Sequence, residues 1–195
     1  MIEPTSPYDQ ILSERCAICK ECCTEGVPEG ICGFNTIEMI LSRMIPEELI
    51  RQLVVYRVLE KKLDYYSLKW WHFPYPNVNL LRDLTIPFQN IYEFLAIPYA
   101  QHRCIFLGAI GCQYPGGKAF DCSMFPYHFE CGEFKEESWC ELTRAATKRD
   151  VIQRQLHQAI GDYRKYSLQH REEYAQKLSQ LKQIYHFREI TLIGD

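Results

Sequence analysis

The feature that most constrains this chain is a run of four cysteines near its beginning, Cys16-x2-Cys19-x2-Cys22-Cys23. Two residues between thiols let a tight turn present both sulfur atoms to one metal centre, and thiolates bind either zinc or iron. The C-x2-C-x2-C spacing is that of bacterial ferredoxins, in which the fourth cysteine comes from elsewhere. The run therefore predicts a metal centre. Because neighbouring side chains diverge, one of Cys22 and Cys23 is expected to face this centre and the other a second partner, or neither is fully committed.

Three cysteines in the middle of the chain are expected to supply the remaining ligands. Cys104 and Cys112 bracket a glycine-containing segment, and Cys122 follows in Asp121-Cys122-Ser-Met-Phe-Pro126. Glycine allows the backbone to approach a bulky site closely. We expect Cys122 to be the fourth ligand of a 4Fe–4S cluster, with zinc as the alternative metal. Two roles, metal ligand or small apolar core residue, stay open for the isolated cysteines Cys32, Cys131 and Cys140.

Whether the ten cysteines among 195 residues bind metal or form disulfides depends on the cellular compartment. Residues 1–7 have neither the basic region nor the apolar region of a signal peptide. The uncharged run at 104–117 is shorter than the roughly 20 residues of a membrane helix. The expected location is the cytoplasm, where clustered cysteines hold metal more often than they form disulfides. Export would instead allow all ten to pair.

The composition of the chain changes near residue 140. All ten cysteines and all ten prolines lie in residues 1–140, which we interpret as a cysteine-rich metal-binding region. Residues 141–195 carry apolar positions three or four apart from Ile152 to Tyr185, a pattern typical of an amphipathic helix. Gly161 is a candidate break in this stripe. We expect a helical tail at 141–195 that packs on the cysteine-rich region.

Two helices are expected upstream of the middle cysteines. A capping-box pattern begins at Asn35, and Pro46 followed by two glutamates opens a second helix with an apolar face that extends to Leu63. Residues 65–103 combine many aromatic residues with four prolines, which indicates an irregular, aromatic-packed insertion. The predicted fold class is therefore mainly α, with irregular cysteine-rich loops stapled by metal, a small single domain plus C-terminal amphipathic helices.

With these motifs the chain resembles the cysteine-cluster proteins described as zinc- or iron-chelating domains, a group that includes the flagellin lysine N-methylase. The resemblance covers roughly residues 14–128 and joins the N-terminal run to Cys104-x-Phe-Leu, Gly-Cys112-x-Tyr and Cys122-x-x-Phe-Pro. It implies a metal-binding set made of Cys16, Cys19, Cys22, Cys23, Cys104, Cys112 and Cys122.

Three functions remain open from the sequence. The first is an iron–sulfur protein with a redox or maturation role, because a metal held only by thiolates is structural or electron-transferring. The second is a zinc-stapled binding module whose aromatic segment and helical tail contact a protein partner. The third, a methyltransferase-like enzyme, is implied only by the resemblance, and the chain lacks the usual cofactor-loop and nucleophile motifs. A net charge of −3 predicts no nucleic-acid partner, and no membrane span is expected.

Overall fold

The computed structural model describes residues 30–60, 82, 84–100, 103–109, 111–114, 127–130, 133–136 and 149–192. Its helices are α1 Phe34–Leu41, α2 Glu47–Ile50 and α3 Arg149–Ile184. Its strands are β1 Gly30–Ile31, β2 Val54–Leu59, β3 Ile91–Ile97, β4 Tyr99–Ala100, β5 Arg103–Cys104, β6 Leu107–Gly108, β7 Gly111–Cys112, β8 Tyr127–Glu130, β9 Glu133–Glu136 and β10 Arg188–Leu192.

A four-stranded mixed sheet, in the order β1-β3-β2-β10, organises the described residues. Strand β3 is antiparallel to both β1 and β2, whereas β10 runs parallel to β2 with Arg188 opposite Val54. The central strands are rich in valine, isoleucine and aromatic residues, which suit a pleated, buried surface. Most of their side chains are buried on both faces of the sheet, so the core lies around β2 and β3.

The prediction of a mainly α fold is wrong, because the described residues contain strands as well as helices, and four of these strands form the central mixed sheet. The helix expected from Pro46 to Leu63 shortens to the single turn α2, and the chain then enters β2. Valine fills three of the six positions of β2, and β-branched side chains favour strands over helices. Because β2 is buried on both faces, its apolar spacing does not distinguish it from a buried helix.

Strand β3 lies inside the segment that was expected to be irregular, and Pro87 and Pro98 stand just outside its turn and its end. The turn before β3 has Gln89 and Asn90 at φ 51° and 63°, and the backbones of Phe88 and Ile91 exchange hydrogen bonds of 2.9 and 3.0 Å. Two central residues with positive φ are the mark of a type I′ hairpin turn. Residues 65–81, 83, 101 and 102 of the aromatic segment are outside the described part of the chain.

Helix α1 begins earlier than the capping box predicted. Gly33, not Asn35, occupies the N-cap position, and it makes no side-chain cap hydrogen bond. At the other end Arg43 has a φ of 57°, and the Met44 N–H donates to the Met39 carbonyl at 2.8 Å. These are the features of a Schellman motif, in which the residue with the positive φ is usually glycine.

Helix α3 is one continuous helix of 36 residues that passes through Gly161 without a break. Its C-terminal half packs across the sheet with Tyr174, Leu178 and Leu181 buried. Among the described residues, no helix has both the length and the apolar composition that a membrane crossing requires. After α3 the chain continues into β10, which joins the sheet beside β2.

The hydroxyl of Tyr174 completes the hydrogen bonding between β1 and β3. The Cys32 N–H donates to the Leu95 carbonyl at 2.8 Å, so the antiparallel ladder continues one residue past β1. The reciprocal bond is replaced by Tyr174, whose hydroxyl donates to the Cys32 carbonyl at 2.9 Å and accepts from the Leu95 N–H at 3.3 Å. The fully buried phenol therefore bridges the two strands at the point where β1 leads into α1.

Helices α1 and α3 are joined by aromatic and ionic contacts. The ring of Phe34 packs edge-on against Tyr166, and the Lys177 ammonium lies 4.7 Å from the centre of the Phe34 ring. Lys177 also pairs with Glu38 on α1 and Glu173 on α3. Burial alone lowers the pKa of Lys177, but its hydrogen bonds to the two carboxylates outweigh burial and raise the pKa above its ordinary value.

Candidate metal-binding cysteines

Cys104 and Cys112 lie on two successive short hairpins. Strand β4 pairs with β5 so that Tyr99 faces Cys104, and β6 pairs with β7 so that Leu107 faces Cys112. Each of these four strands has only two residues. The Arg103 guanidinium donates to the Leu107 carbonyl at 2.7 Å, which links the first hairpin to the second.

Two aromatic residues attach the second hairpin to the core. Phe106 and Tyr114 are 1 % and 6 % exposed, and their rings meet edge to face with centres 5.2 Å apart. The Gln113 N–H donates to the Phe106 carbonyl at 2.7 Å and closes the loop between them. The Tyr114 hydroxyl is hydrogen-bonded to the hydroxyl of Thr36, which lies on α1. The Phe and Tyr positions of the two middle motifs therefore serve as anchors for the cysteines beside them.

The three described cysteines differ in exposure. Cys104 is half-buried and packs against the edge of the hydrophobic core, and Cys112 is exposed. Cys32 is completely buried within the core cluster. Cys104 and Cys112 are therefore placed where donors from another segment can join them. The position of Cys32 favours the role of a small apolar core residue.

The register of β1 with β3 bears on the N-terminal cysteines. Gly30, the first residue of β1, faces Ile97, the last residue of β3. Tyr99 follows Ile97 by two residues and is the partner of Cys104. The chain therefore enters the sheet at the same end from which the cysteine hairpins leave. Cys23 precedes Gly30 by seven residues, and seven residues of extended chain span at most about 25 Å.

The other predicted ligands, Cys16, Cys19, Cys22, Cys23 and Cys122, lie outside the described residues, as do Cys131 and Cys140. Within the described ranges, no group of three or more histidine, cysteine, aspartate or glutamate side chains could hold a metal ion. Cys104 and Cys112 thus do not form a complete site with their described neighbours. A complete ligand set requires donors from the part of the chain that the structure does not describe.

The anchors of the hairpins were missed by the sequence reasoning. Tyr114 stands in the Gly-Cys112-x-Tyr motif, so an aromatic residue two positions from a predicted ligand was an available signal. Thr36 carried no such signal, because its partner is 78 residues away. Such a contact becomes visible only when α1 and the hairpin are placed side by side.

Comparison of the chain with protein-family models, curated proteins and solved structures finds no match. The resemblance to cysteine-cluster proteins therefore rests on the motifs alone, and the function is argued from the chemistry and placement of the cysteines.

Proposed function

We propose that the protein binds metal through its cysteines and holds an iron–sulfur cluster with a redox or maturation role. The observation that carries the proposal is the sheet register: Gly30 faces Ile97, and Cys104 folds back beside Tyr99. This arrangement closes most of the gap of about 80 residues between the N-terminal cysteine run and Cys104, whose closure is entropically costly. The N-terminal run and the middle cysteines can therefore contribute to one centre.

The chemistry of the described donors fits such a centre. Cys104 is half-buried at the edge of an apolar core and Cys112 is exposed, so neither residue is enclosed in the core. Phe106 and Tyr114 exclude water from the core side of the second hairpin. We assign Cys104 and Cys112 as ligands together with Cys16, Cys19, Cys22, Cys23 and Cys122. An iron–sulfur cluster, when bound, supplies one-electron transfer.

The short hairpins also favour a metal on energetic grounds. An isolated two-stranded hairpin is marginally stable in water, and β4 to β7 form two hairpins with strands of two residues each. A structural metal site supplies roughly 10–16 kcal/mol, which is as large as the net stability of a typical domain. Metal ligation at Cys104 and Cys112 would therefore hold both hairpins in place.

The test is anaerobic purification of the full chain, followed by analysis of iron, zinc and acid-labile sulfide and by visible absorption. We expect a brown protein with iron and sulfide in comparable amounts. Stoichiometric zinc without sulfide would contradict the iron–sulfur cluster and support the zinc-stapled binding module instead. A protein without any metal, from cells with adequate iron and zinc, would overturn the proposal.

Variants separate the predicted ligands from a cysteine of the core. Cys19→Ser and Cys104→Ser are each expected to lose most of the metal. Cys32→Ala is the matched control, because Cys32 is completely buried in the core cluster and is expected to retain the metal. Equal metal loss in all three variants would show that the loss follows from unfolding rather than from ligation.

A further inference from the structure

The pair of buried hydroxyls formed by Thr36 and Tyr114 is a feature that packing alone does not explain. The two residues are 2 % and 6 % exposed and lie 78 positions apart in the chain. Valine and phenylalanine would fill nearly the same space without burying polar atoms, which costs free energy unless the atoms are hydrogen-bonded. What the hydroxyl pair adds is a directional link between α1 and the hairpin of Cys112.

Tyr114 transmits this link to the hairpin over a short distance. It follows Cys112 by two residues, and the Gln113 N–H between them bonds to the Phe106 carbonyl at 2.7 Å. The rings of Phe106 and Tyr114 also meet edge to face, with their centres 5.2 Å apart. The hydroxyl contact with Thr36 fixes the outer end of the same ring, so the orientation of Tyr114 is set at both ends.

Thr36, in turn, lies on a helix that α3 holds firmly. One turn of α1 carries Phe34, which packs on Tyr166, and Glu38, which pairs with Lys177. Thr36 stands between these two attachment points. The contacts between α1 and α3, and not the hairpin, therefore set the position of the Thr36 hydroxyl.

We propose that Thr36 and Tyr114 are positioning residues, which hold the β6–β7 hairpin so that the exposed Cys112 thiol is oriented toward the metal centre. The inference rests on the proposed metal-binding function. Partners that orient metal ligands typically change metal affinity by roughly 10- to 100-fold when they are removed. Loss of either hydroxyl should leave all ligands present but orient one of them poorly.

The experiment compares Tyr114→Phe, Thr36→Val and Thr36→Ser in the full chain loaded with Co²⁺ under anaerobic conditions. The probe is the cobalt–thiolate absorption, and the measurement is its decay after EDTA is added. We expect the decay to be about tenfold faster for Tyr114→Phe and Thr36→Val. Thr36→Ser retains the hydroxyl and is expected to behave as wild type. Thr85→Val is the matched control, because Thr85 is also 2 % exposed but precedes β3.

Hydrogen exchange of the metal-free protein provides a readout that does not depend on metal. We expect faster exchange at the Gln113 amide in the two variants without the hydroxyl contact, and unchanged exchange in β2 and β3. If wild type binds Co²⁺ and both variants release it at the wild-type rate, the positioning inference is overturned and the metal-binding function stands. If wild type binds neither Co²⁺ nor an iron–sulfur cluster, both the positioning inference and the metal-binding function are overturned. If it holds a cluster but no Co²⁺, the decay of the cluster absorption after EDTA is added is the measurement, with the same tenfold difference expected, and equal decay in wild type and both variants overturns the positioning inference.

Discussion

The sheet with α3 and the cysteine hairpins are stabilised in different ways. Strands β2 and β3 have six and seven residues and pair along six positions, whereas the four strands of the hairpins have two residues each. The sheet lies within a continuous apolar core, but the second hairpin joins that core through Phe106 and Tyr114. The difference indicates that the sheet folds by burial of apolar side chains, while the described contacts of the hairpins depend on a few anchoring residues, to which the proposed function would add metal ligation.

The largest expected effect is in the sheet, at Phe94. This residue is completely buried and stacks on Tyr56 with ring centres 5.5 Å apart. We expect Phe94→Ala to lower the free energy of unfolding by about 3–5 kcal/mol, because it removes a buried ring and leaves a cavity. Urea denaturation followed by far-UV circular dichroism would measure the loss.

Phe106→Ala is the counterpart in the hairpins, since Phe106 is almost equally buried. It is expected to lower the global free energy of unfolding less than Phe94→Ala and to increase exchange at the Gln113 amide strongly. Equal global losses for the two variants would mean that the hairpins belong to the same cooperative unit as the sheet, and the distinction drawn above would be wrong.

Helix α3 could be predicted from the sequence, because its apolar residues recur every three or four positions over many turns. A strand or a loop does not produce so long a run with that spacing. The short central strands were harder to predict from the sequence. Apart from Arg57, the run from Val54 to Leu59 is apolar on both faces, so its apolar spacing does not distinguish a strand from a helix. Strand β3 was not predicted for another reason. Prolines near both its ends led us to expect irregular structure in the whole segment.

Contacts between distant segments could not be predicted at all. Strand β10 pairs with β2, and Arg188 and Val54 are 134 positions apart (188 − 54). The spacing of the cysteines indicates which residues could bind a metal. The sequence around them does not specify the strand register that brings Gly30 beside Ile97. Candidate ligands could therefore be named from the sequence, whereas the strand register that places the start of β1 beside the end of β3 could not.

The second prediction concerns the link between β1 and β3. Tyr174→Phe removes a hydroxyl that bridges the Cys32 carbonyl and the Leu95 N–H in the core. We expect a loss of about 1–3 kcal/mol in the free energy of unfolding, because both backbone groups stay buried without that partner. Tyr185→Phe, one residue beyond the end of α3, is the control, since Tyr185 is half-buried and contacts Phe187 through its ring. Similar losses for both variants would contradict a special role for Tyr174.

The third prediction has the opposite sign and compares glycines in the two regions. Gly161 is exposed on α3, and a β-carbon built there meets nothing within 4 Å. Gly161→Ala should therefore raise the free energy of unfolding by about 0.5–1 kcal/mol through the higher helix propensity of alanine. At Gly108 the same carbon would lie 2.5 Å from Gln113 Cδ, so the Gln113 side chain would have to move. Gly108→Ala is expected to bring no gain, and equal stabilisation by both would refute this contrast.

The smallest expected effect lies in an ionic network on one face of the sheet, below the end of α3. Arg57 on β2 donates to Glu93 on β3 at 2.8 Å, and Lys182 on α3 lies 3.0 Å from Glu93 and 2.9 Å from Glu189 on β10. Arg57 also lies 3.9 Å from Glu189, so two positive and two negative charges alternate around the network. The four side chains are 27–40 % exposed, and solvent reduces the free energy that each such pair contributes to about 0.2–1 kcal/mol.

The pH dependence of this network follows from Lys182. Burial lowers the pKa of Lys182, but hydrogen bonds to Glu189 and Glu93 outweigh burial and raise it above the ordinary value. A raised lysine pKa means that the charged form is favoured in the folded state. The contribution is therefore complete below the unfolded pKa of about 10.4 and is lost as pH rises through the folded value. We expect wild type to exceed Lys182→Met in stability by about 0.5 kcal/mol at pH 8 and the difference to be smaller at about pH 11, on the alkaline side of the unfolded pKa. Exposed Lys165 on the same helix provides the control variant Lys165→Met. Urea denaturation of the three proteins at both pH values tests the prediction, and a difference that persists undiminished at high pH would assign the effect to the packing of the Lys182 chain rather than to its charge.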